Sequence, residues 1–115
     1  MIVLDASALV EQLLDTPKGI QLQKRCLSGS ESLHCPHLLD VEVAQVLRRY
    51  CQRGWLSATR AFQAMEDLAD FPLTRYAHNP FLYRIWDLRE NLTSYDATYV
   101  ALAELLAVPL GPVNK

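Results

Sequence analysis

The chain has 115 residues, of which half are apolar and 21% are charged, and its formal net charge at pH 7 is −2. This length provides for one hydrophobic core, so we expect a single domain over residues 1–115. The small negative charge excludes a general electrostatic attraction for nucleic acid or anionic membranes, so binding of a polyanion would require a local basic patch or a bound metal ion.

The first elements predicted along the chain are an apolar strand and two helices. Residues 1–4 form a short run typical of a buried strand, and residues 7–14 carry leucines at helical spacing. Pro17 is suited to the first turn of a second helix, which is expected to end around residues 28–30.

A second strand and a long helix follow. The strand is predicted over residues 32–35, where Pro36 ends it. Gly54 is expected to end the helix that comes next. Its apolar side chains recur on one face, which is typical of a helix packed on a core: Leu39, Val43, Val46, Leu47 and Tyr50.

The remaining elements repeat the alternation of helix and strand. Ser57 is predicted to cap a helix through residue 68, and residues 71–76 form a third strand. A helix is expected over residues 79–89, and another, capped by Thr93 or Ser94, over residues 95–106. Residues 107–110 would close the chain as a fourth strand.

This order predicts an α/β fold with a central parallel sheet of about four strands flanked by helices on both faces. The sequence has four glycines and contains neither G-x-G-x-x-G nor a P-loop, so nucleotide binding through a glycine-rich turn is not expected. In such a sheet functional groups gather at the carboxyl ends of the strands.

No apolar run long enough to span a membrane and no signal-peptide pattern occur, so we expect a cytoplasmic protein without membrane contact. The cysteines, Cys26, Cys35 and Cys51, are odd in number and form no C-x-x-C pair. This argues against a disulfide framework and against a zinc knuckle. We expect reduced thiols, most of them buried.

Three carboxylates stand out, although each has a structural explanation of its own. Asp5 follows the first strand and is placed to cap the next helix. Glu42 lies at the edge of the apolar stripe of its helix, near the end where the dipole favours an acid, whereas Asp40 points about 160° away from it. Asp96 follows Thr93 in a capping-box pattern, at the start of a helix that is apolar nearly all round. The combination indicates a site better than any one of them does.

Three segments resemble the PIN-domain family, and in particular the VapC toxins of bacterial type II toxin–antitoxin pairs. They are VLDASALV, HLLDVEVAQVLRR and NLTSYDATYVALAELL, and they extend over nearly the whole chain. The resemblance implies a doubly wound α/β sandwich with the activity of a Mg²⁺- or Mn²⁺-dependent endoribonuclease. It assigns catalytic and metal-binding roles to Asp5, Glu42 and Asp96, and a supporting role to Ser7. It also implies an RNA substrate, a VapB-like antitoxin and a homodimer.

The chemistry of such a cluster explains its composition. Three neighbouring carboxylates repel one another, so that without a cation at least one of them should bind a proton above its usual pKa. A hard divalent ion relieves this repulsion, since Mg²⁺ prefers oxygen ligands and retains several waters. The ion would activate a water and neutralise charge on the attacked phosphate. Glu42 would act as a ligand or as a general base, and the sequence leaves both roles open.

The end of the chain departs from the family pattern. Toxins of this family usually continue with L-L-T-x-D, whereas here Pro109 and Leu110 are followed by GPVNK, so we expect a domain that lacks the usual C-terminal end. Without gaps, Asn114 stands where the fourth acid belongs. An amide oxygen brings no negative charge, so reduced activity is expected. The alternative is a weakened or inactive PIN-domain protein that only binds its antitoxin.

Other residues carry weaker signals. Arg49 and Arg53 lie on the same side of their helix as Glu42 and are candidates for contacts with RNA phosphates, with a solvated helix face as the alternative. A phosphatase using Asp5 as a nucleophile fits less well, because such enzymes have D-x-D where this chain has Ser7. Six aromatic residues are expected in the core or in a dimer interface: Trp55, Phe62, Phe71, Phe81, Tyr83 and Trp86.

Overall fold

A computed structural model of the protein describes residues 1–17, 19 and 31–107. The elements are, in chain order, β1 (Ile2–Val3), α1 (Ala6–Leu13), β2 (Leu33–Pro36), α2 (Leu38–Gln52), α3 (Ala58–Asp70), β3 (Leu73–Tyr76), α4 (Leu82–Asp87) and α5 (Ser94–Leu106). A 3₁₀ turn at Asn79–Phe81 immediately precedes α4.

The three strands form one parallel sheet in the order β1-β2-β3. Ile2 pairs with Leu33, and Leu33 in turn pairs with Leu73. Because the strands are parallel, their carboxyl ends meet at one edge of the sheet, and Asp5 follows β1 at that edge. The predicted parallel sheet is therefore confirmed, with three strands in the described part of the chain.

Two predicted elements fall on residues that the structure does not describe. The helix expected to begin at Pro17 lies almost wholly outside the described residues, and so does the fourth strand expected over residues 107–110. Ala107 itself ends α5 in the left-handed conformation, with φ of 53°, and its N–H bonds back to the carbonyl of Ala103. This arrangement is a common way to end a helix.

The helices flank the sheet in two groups, which confirms the α/β architecture. α1, α2 and α3 pack on one another, and α4 packs on α5. α5 also lies against β1 and β2, while α2 lies against β2. No helix in the described segments is long and apolar enough to cross a membrane. The main core combines buried side chains from the strands and from both helix groups, among them Val3, Leu9, Cys35, Leu39, Val43, Leu47, Leu68, Tyr99 and Leu102.

The local signals that define the helices are mostly confirmed. Leu39, Val43 and Leu47 are buried on one face of α2. The side chain of Ser57 accepts the N–H of Arg60 at the start of α3. The helix predicted over residues 79–89 is shorter than expected, because the 3₁₀ turn occupies its beginning and α4 ends at Asp87.

The aromatic residues follow the prediction only in part. Phe81 is buried and Phe71 packs against the core. The core assignment is wrong for the other four, whose exposed fractions are large: Trp55 66%, Phe62 66%, Tyr83 90% and Trp86 65%. Aromatic side chains that remain in water on a folded domain are typical of interaction surfaces. Their assignment to a dimer interface stays a prediction.

The described cysteines differ in their burial. Cys35 is fully buried in β2, and this burial raises the pKa of its thiol to about 12, so the thiol is protonated and unreactive at neutral pH. Cys51 is half-buried, and Cys26 lies outside the described residues. The prediction of reduced thiols holds for the two described cysteines.

His34 makes the sheet sensitive to pH. Its Nδ1 lies 2.7 Å from the Tyr76 hydroxyl and its Nε2 lies 2.8 Å from the Ser32 hydroxyl. Burial, assisted by the N-terminal amine, lowers the pKa of His34 below its usual 6.5. As the pH falls through 6.5 the unfolded chain therefore takes up a proton that the folded chain resists, and the free energy of unfolding decreases.

We therefore expect His34→Gln to flatten the decline in unfolding free energy between pH 8 and about pH 5, measured by urea denaturation. Each unit of difference between the folded and unfolded pKa contributes about 1.4 kcal/mol to that decline. His37→Gln, at an exposed position before α2, is the matched control and should keep the wild-type slope. An unchanged slope in His34→Gln would contradict this account.

Candidate active site

Asp5 occupies the turn between β1 and α1 and caps the helix. Its backbone is extended, and its Oδ1 accepts the N–H of Ala8 at 3.0 Å. The capping role is therefore confirmed. The same position puts the carboxylate at the edge where the strands end, half-buried rather than in the core.

Glu42 lies in the second turn of α2 and is half-buried. The hydroxyl of Tyr99 donates a hydrogen bond to its Oε1 over 2.5 Å, joining α2 to α5. The pKa of Glu42 is raised, chiefly by burial, and the charges of Asp96 and Asp5 raise it further, while the hydrogen bond from Tyr99 acts in the opposite direction.

Asp96 lies in the first turn of α5 and is half-buried. Its N–H donates to Oγ1 of Thr93 at 3.1 Å, which confirms the predicted helix start and selects Thr93 as the cap. α5 packs against β1, the strand that leads to Asp5. The two carboxylates thus come from neighbouring elements although they are far apart in sequence.

The electrostatics of Glu42 show that the three carboxylates share one region. Charge effects in salt solution extend over about 10 Å at 0.1 M, and Glu42 responds to both Asp5 and Asp96. Tyr99 also experiences the charge of Asp5 as well as that of Glu42. The structure therefore places Asp5 and Asp96 within electrostatic range of Glu42.

The donor chemistry of this region fits a hydrated hard cation. Among residues 1–17, 19 and 31–107, no group of three or more acidic, histidine or cysteine side chains is arranged to hold a metal ion. Mg²⁺ is commonly held by one or two carboxylates and keeps several waters, so it does not need a complete protein cage. Carboxylate oxygens at a half-buried site satisfy that requirement.

Asp40 is excluded from the acidic group. Its two carboxylate oxygens accept hydrogen bonds from Arg75, at 2.9 Å from Nε and 3.1 Å from a terminal nitrogen. Arg75 also donates to the carbonyl of Leu68. Asp40 therefore ties α2 to β3 and α3, on the side of α2 that the helical wheel predicted.

Tyr99 is the site residue that sequence reasoning missed. It was included only in an apolar helix, and at 3% exposure it is indeed part of the core. Its hydroxyl is nevertheless in contact with Glu42, and burial together with that contact raises the pKa of Tyr99, so it stays protonated as a donor. The available signal was its position three residues after Asp96, since such neighbours share a helix face.

The residues predicted from the sequence to support the site or to bind RNA lie on different parts of the chain. Ser7 is exposed in the first turn of α1, two residues after Asp5. Arg49 is exposed and lies seven residues beyond Glu42, about 10 Å along the axis of α2. Arg53 follows the helix end, where its guanidinium stacks 4.9 Å from the centre of the Trp55 ring. Asn114 lies outside the described residues.

A pocket of about 290 Å³ opens near the start of α5, and none of the three acids lines it. It lies between the first turns of α2 and α5 and the helix α4. Its wall includes Leu38, one turn before Glu42, and Tyr95, the residue before Asp96. The pocket is mainly apolar, and the other residues that line it are His78, Leu82, Ile85, Ser94 and Thr98.

Comparisons with known proteins give a family match and several similar chains. The family model described as the PIN domain matches residues 2–110. The chain is 45% identical over 106 residues to ribonuclease VapC9 of Mycobacterium tuberculosis, which covers 92% of this chain and 80% of that protein. It is 42% identical over 110 residues to ribonuclease VapC12 of the same species, covering 96% and 84%.

A solved structure shares the fold. The crystal structure of VapC20 from Mycobacterium tuberculosis, described as a sarcin-ricin loop cleaving toxin, superposes with a TM-score of 0.69. The superposition covers 94% of this chain and 85% of that one, at 13% sequence identity. At this low identity the likeness shows the three-dimensional fold alone.

The shared electrostatics of the acids can be tested without any metal or substrate. Asp96→Asn removes a negative charge that raises the pKa of Glu42, so the pKa of Glu42 should fall. The measurement is an NMR titration of the Glu42 carboxyl carbon in chelator-treated protein. Asp67→Asn, an exposed position on α3, is the matched control and should leave it unchanged. If the pKa of Glu42 were the same in Asp96→Asn as in wild type, the charge of Asp96 would not act on Glu42, and this account of the site would be contradicted.

Proposed function

The chain belongs to the PIN-domain family, and from that premise we propose that it is a divalent-metal-dependent endoribonuclease toxin of the VapC type, which hydrolyses phosphodiester bonds in RNA. The observation that carries the proposal is the match of the PIN-domain model to residues 2–110, the range that contains Asp5, Glu42 and Asp96. Within that range burial raises the pKa of Glu42, and the charges of Asp96 and Asp5 raise it further. Perturbed carboxylates of this kind concentrate at functional sites. The VapC ribonucleases that the chain resembles at 41–45% identity support the same activity.

In this proposal Asp5, Glu42 and Asp96 hold Mg²⁺ or Mn²⁺. When bound, the ion would supply an activated water and would neutralise charge that develops on the phosphate. Asp5 is held by its contact with the first turn of α1, and Glu42 by Tyr99. The raised pKa of Glu42 also suits a group that accepts a proton from the attacking water, so the residue serves as a ligand or as a general base. Ser7 would assist from the exposed first turn of α1.

The proposal includes an activity reduced by Asn114, which occupies the position of a fourth acid. An amide oxygen can bind a metal or its water, but it contributes no charge to offset that of the ion. A second ion would accordingly be held weakly. The other candidate function, an antitoxin-binding PIN-domain protein without cleavage, depends on this same replacement.

We also propose an RNA substrate, a VapB-like antitoxin and a homodimer, acting in the cytoplasm. The acids repel RNA phosphates, so binding would depend on the ion and on cationic side chains such as Arg49, with Arg53 further along the helix. Exposed Tyr83 and Trp86 lie on α4, the helix that also contributes Leu82 and Ile85 to the apolar pocket, and exposed apolar surface of this kind supports a protein partner.

The activity is tested with Asp5→Asn and Asp96→Asn against folded RNA in the presence of Mg²⁺ or Mn²⁺. Asparagine caps a helix about as well as aspartate does, so Asp5→Asn keeps the fold while it removes the charge. We expect cleavage to fall by about 100-fold or more in each variant. The metal-dependent rise in melting temperature should be lost with it.

Asp67→Asn serves as the control, because it removes an exposed charge from α3 and should retain wild-type cleavage. Wild-type cleavage in Asp5→Asn and Asp96→Asn would remove these acids from the mechanism. Wild-type protein that binds a VapB-like antitoxin but never cleaves RNA, with or without metal, would favour the binding-only function.

A further inference from the structure

We propose that Tyr99 is a positioning residue for the metal site, which fixes one oxygen of Glu42 so that the other oxygen, Oε2, is presented to the ion or its water. This inference rests on the proposed function, since it concerns how the same site is held in shape. It assigns a role to a residue that belongs to the hydrophobic core.

The contact itself is specific. The Tyr99 hydroxyl donates to Oε1 of Glu42 over 2.5 Å, across 57 residues of sequence. A half-buried glutamate otherwise samples many rotamers, and ordering such a side chain costs conformational entropy. A ring that is 3% exposed on a packed helix provides a fixed donor. Because Tyr99 already orders the side chain of Glu42, less conformational entropy is lost when the ion binds.

The position of Tyr99 on α5 gives the contact a second consequence. Asp96 lies three residues earlier on the same helix, so one rigid element places Asp96 directly and places Glu42 through Tyr99. The separation of these two carboxylates is then set by how α5 packs, and not by the rotamer that Glu42 happens to adopt. Supporting groups of this kind commonly change metal affinity by 10- to 100-fold.

A purely structural role for the same hydrogen bond makes a different prediction. A buried phenol hydroxyl requires a partner, and a hydrogen bond to Glu42 would satisfy it whatever Glu42 does. In that case the loss of the hydroxyl would lower stability without changing the affinity for metal. The two possibilities separate in a binding measurement on the protein without RNA.

The experiment is a Mn²⁺ titration followed by electron paramagnetic resonance, which reports free Mn²⁺, on wild type and Tyr99→Phe. We expect the dissociation constant for Mn²⁺ to rise about tenfold in Tyr99→Phe. Tyr76→Phe is the matched control: it removes another phenol hydroxyl, one that is bonded to His34 in the sheet, and should keep wild-type affinity. Equal Mn²⁺ affinity in wild type and Tyr99→Phe would overturn the proposal.

A double-mutant cycle with Glu42→Ala shows whether Tyr99 acts through Glu42. In the Glu42→Ala background, Tyr99→Phe should have no further effect on Mn²⁺ affinity. The same loss in both backgrounds would overturn the positioning role. Should Tyr99→Phe fail to fold, Glu42→Asp provides the second test, because its shorter side chain withdraws the carboxylate from Tyr99. It should bind Mn²⁺ more weakly, and wild-type affinity would overturn the proposal.

The outcomes distinguish this inference from the function on which it rests. If wild type binds Mn²⁺ and cleaves RNA, and Asp96→Asn loses both properties while Tyr99→Phe retains wild-type affinity, only the positioning role is overturned. If wild type binds no Mn²⁺ at all, the metal site and the positioning role are overturned together.

Discussion

Mutual repulsion among Asp5, Glu42 and Asp96 is the constraint on which the rest of the account depends. Burial is the largest cause of the raised pKa of Glu42, and the charges of Asp96 and Asp5 raise it further, so that they too oppose its ionised form. Repulsion between like charges at these positions lowers the stability of the folded chain. Unfavourable local interactions are often found where a protein binds a ligand or catalyses a reaction. A divalent cation would offset the repulsion here, because it attracts all three carboxylates.

The fold tolerates these acids because each has a structural role as well. Asp5 caps α1, and Asp96 lies in the first turn of α5, where the helix dipole favours a negative charge. Glu42 is tied to the core through Tyr99. The parallel sheet then determines where they meet, since β1 delivers Asp5 to the edge beside α5. Asp5 is therefore both a helix cap and a catalytic candidate.

Local patterns predicted much of this from the sequence. Helix starts at Ser57 and Thr93 follow from side chains that accept nearby N–H groups, and the buried face of α2 follows from its apolar spacing. The helical wheel also correctly predicted that Asp40 and Glu42 lie on different sides of α2. These features depend on residues within one or two turns of each other, which is the range in which sequence patterns are informative.

The features that were missed depend on distant partners. The bond from Tyr99 to Glu42 spans 57 residues, and the pairing of Arg75 with Asp40 spans 35. The local sequence places Tyr99 on the same helix face as Asp96, but it does not indicate that the hydroxyl will meet Glu42, and nothing around Asp40 indicates Arg75. The exposure of Trp55, Phe62, Tyr83 and Trp86 was missed for a related reason, because aromatic residues suit a core and an interaction surface equally well.

The most direct test of the central claim is anomalous diffraction from crystals of the protein soaked in Mn²⁺. We expect an anomalous peak bound by carboxylate oxygens of Asp5 and Asp96, with Oε2 of Glu42 at the ion or at one of its waters. Ordered Mn²⁺ found only at other sites, with these three carboxylates bound to protein groups instead, would contradict the account.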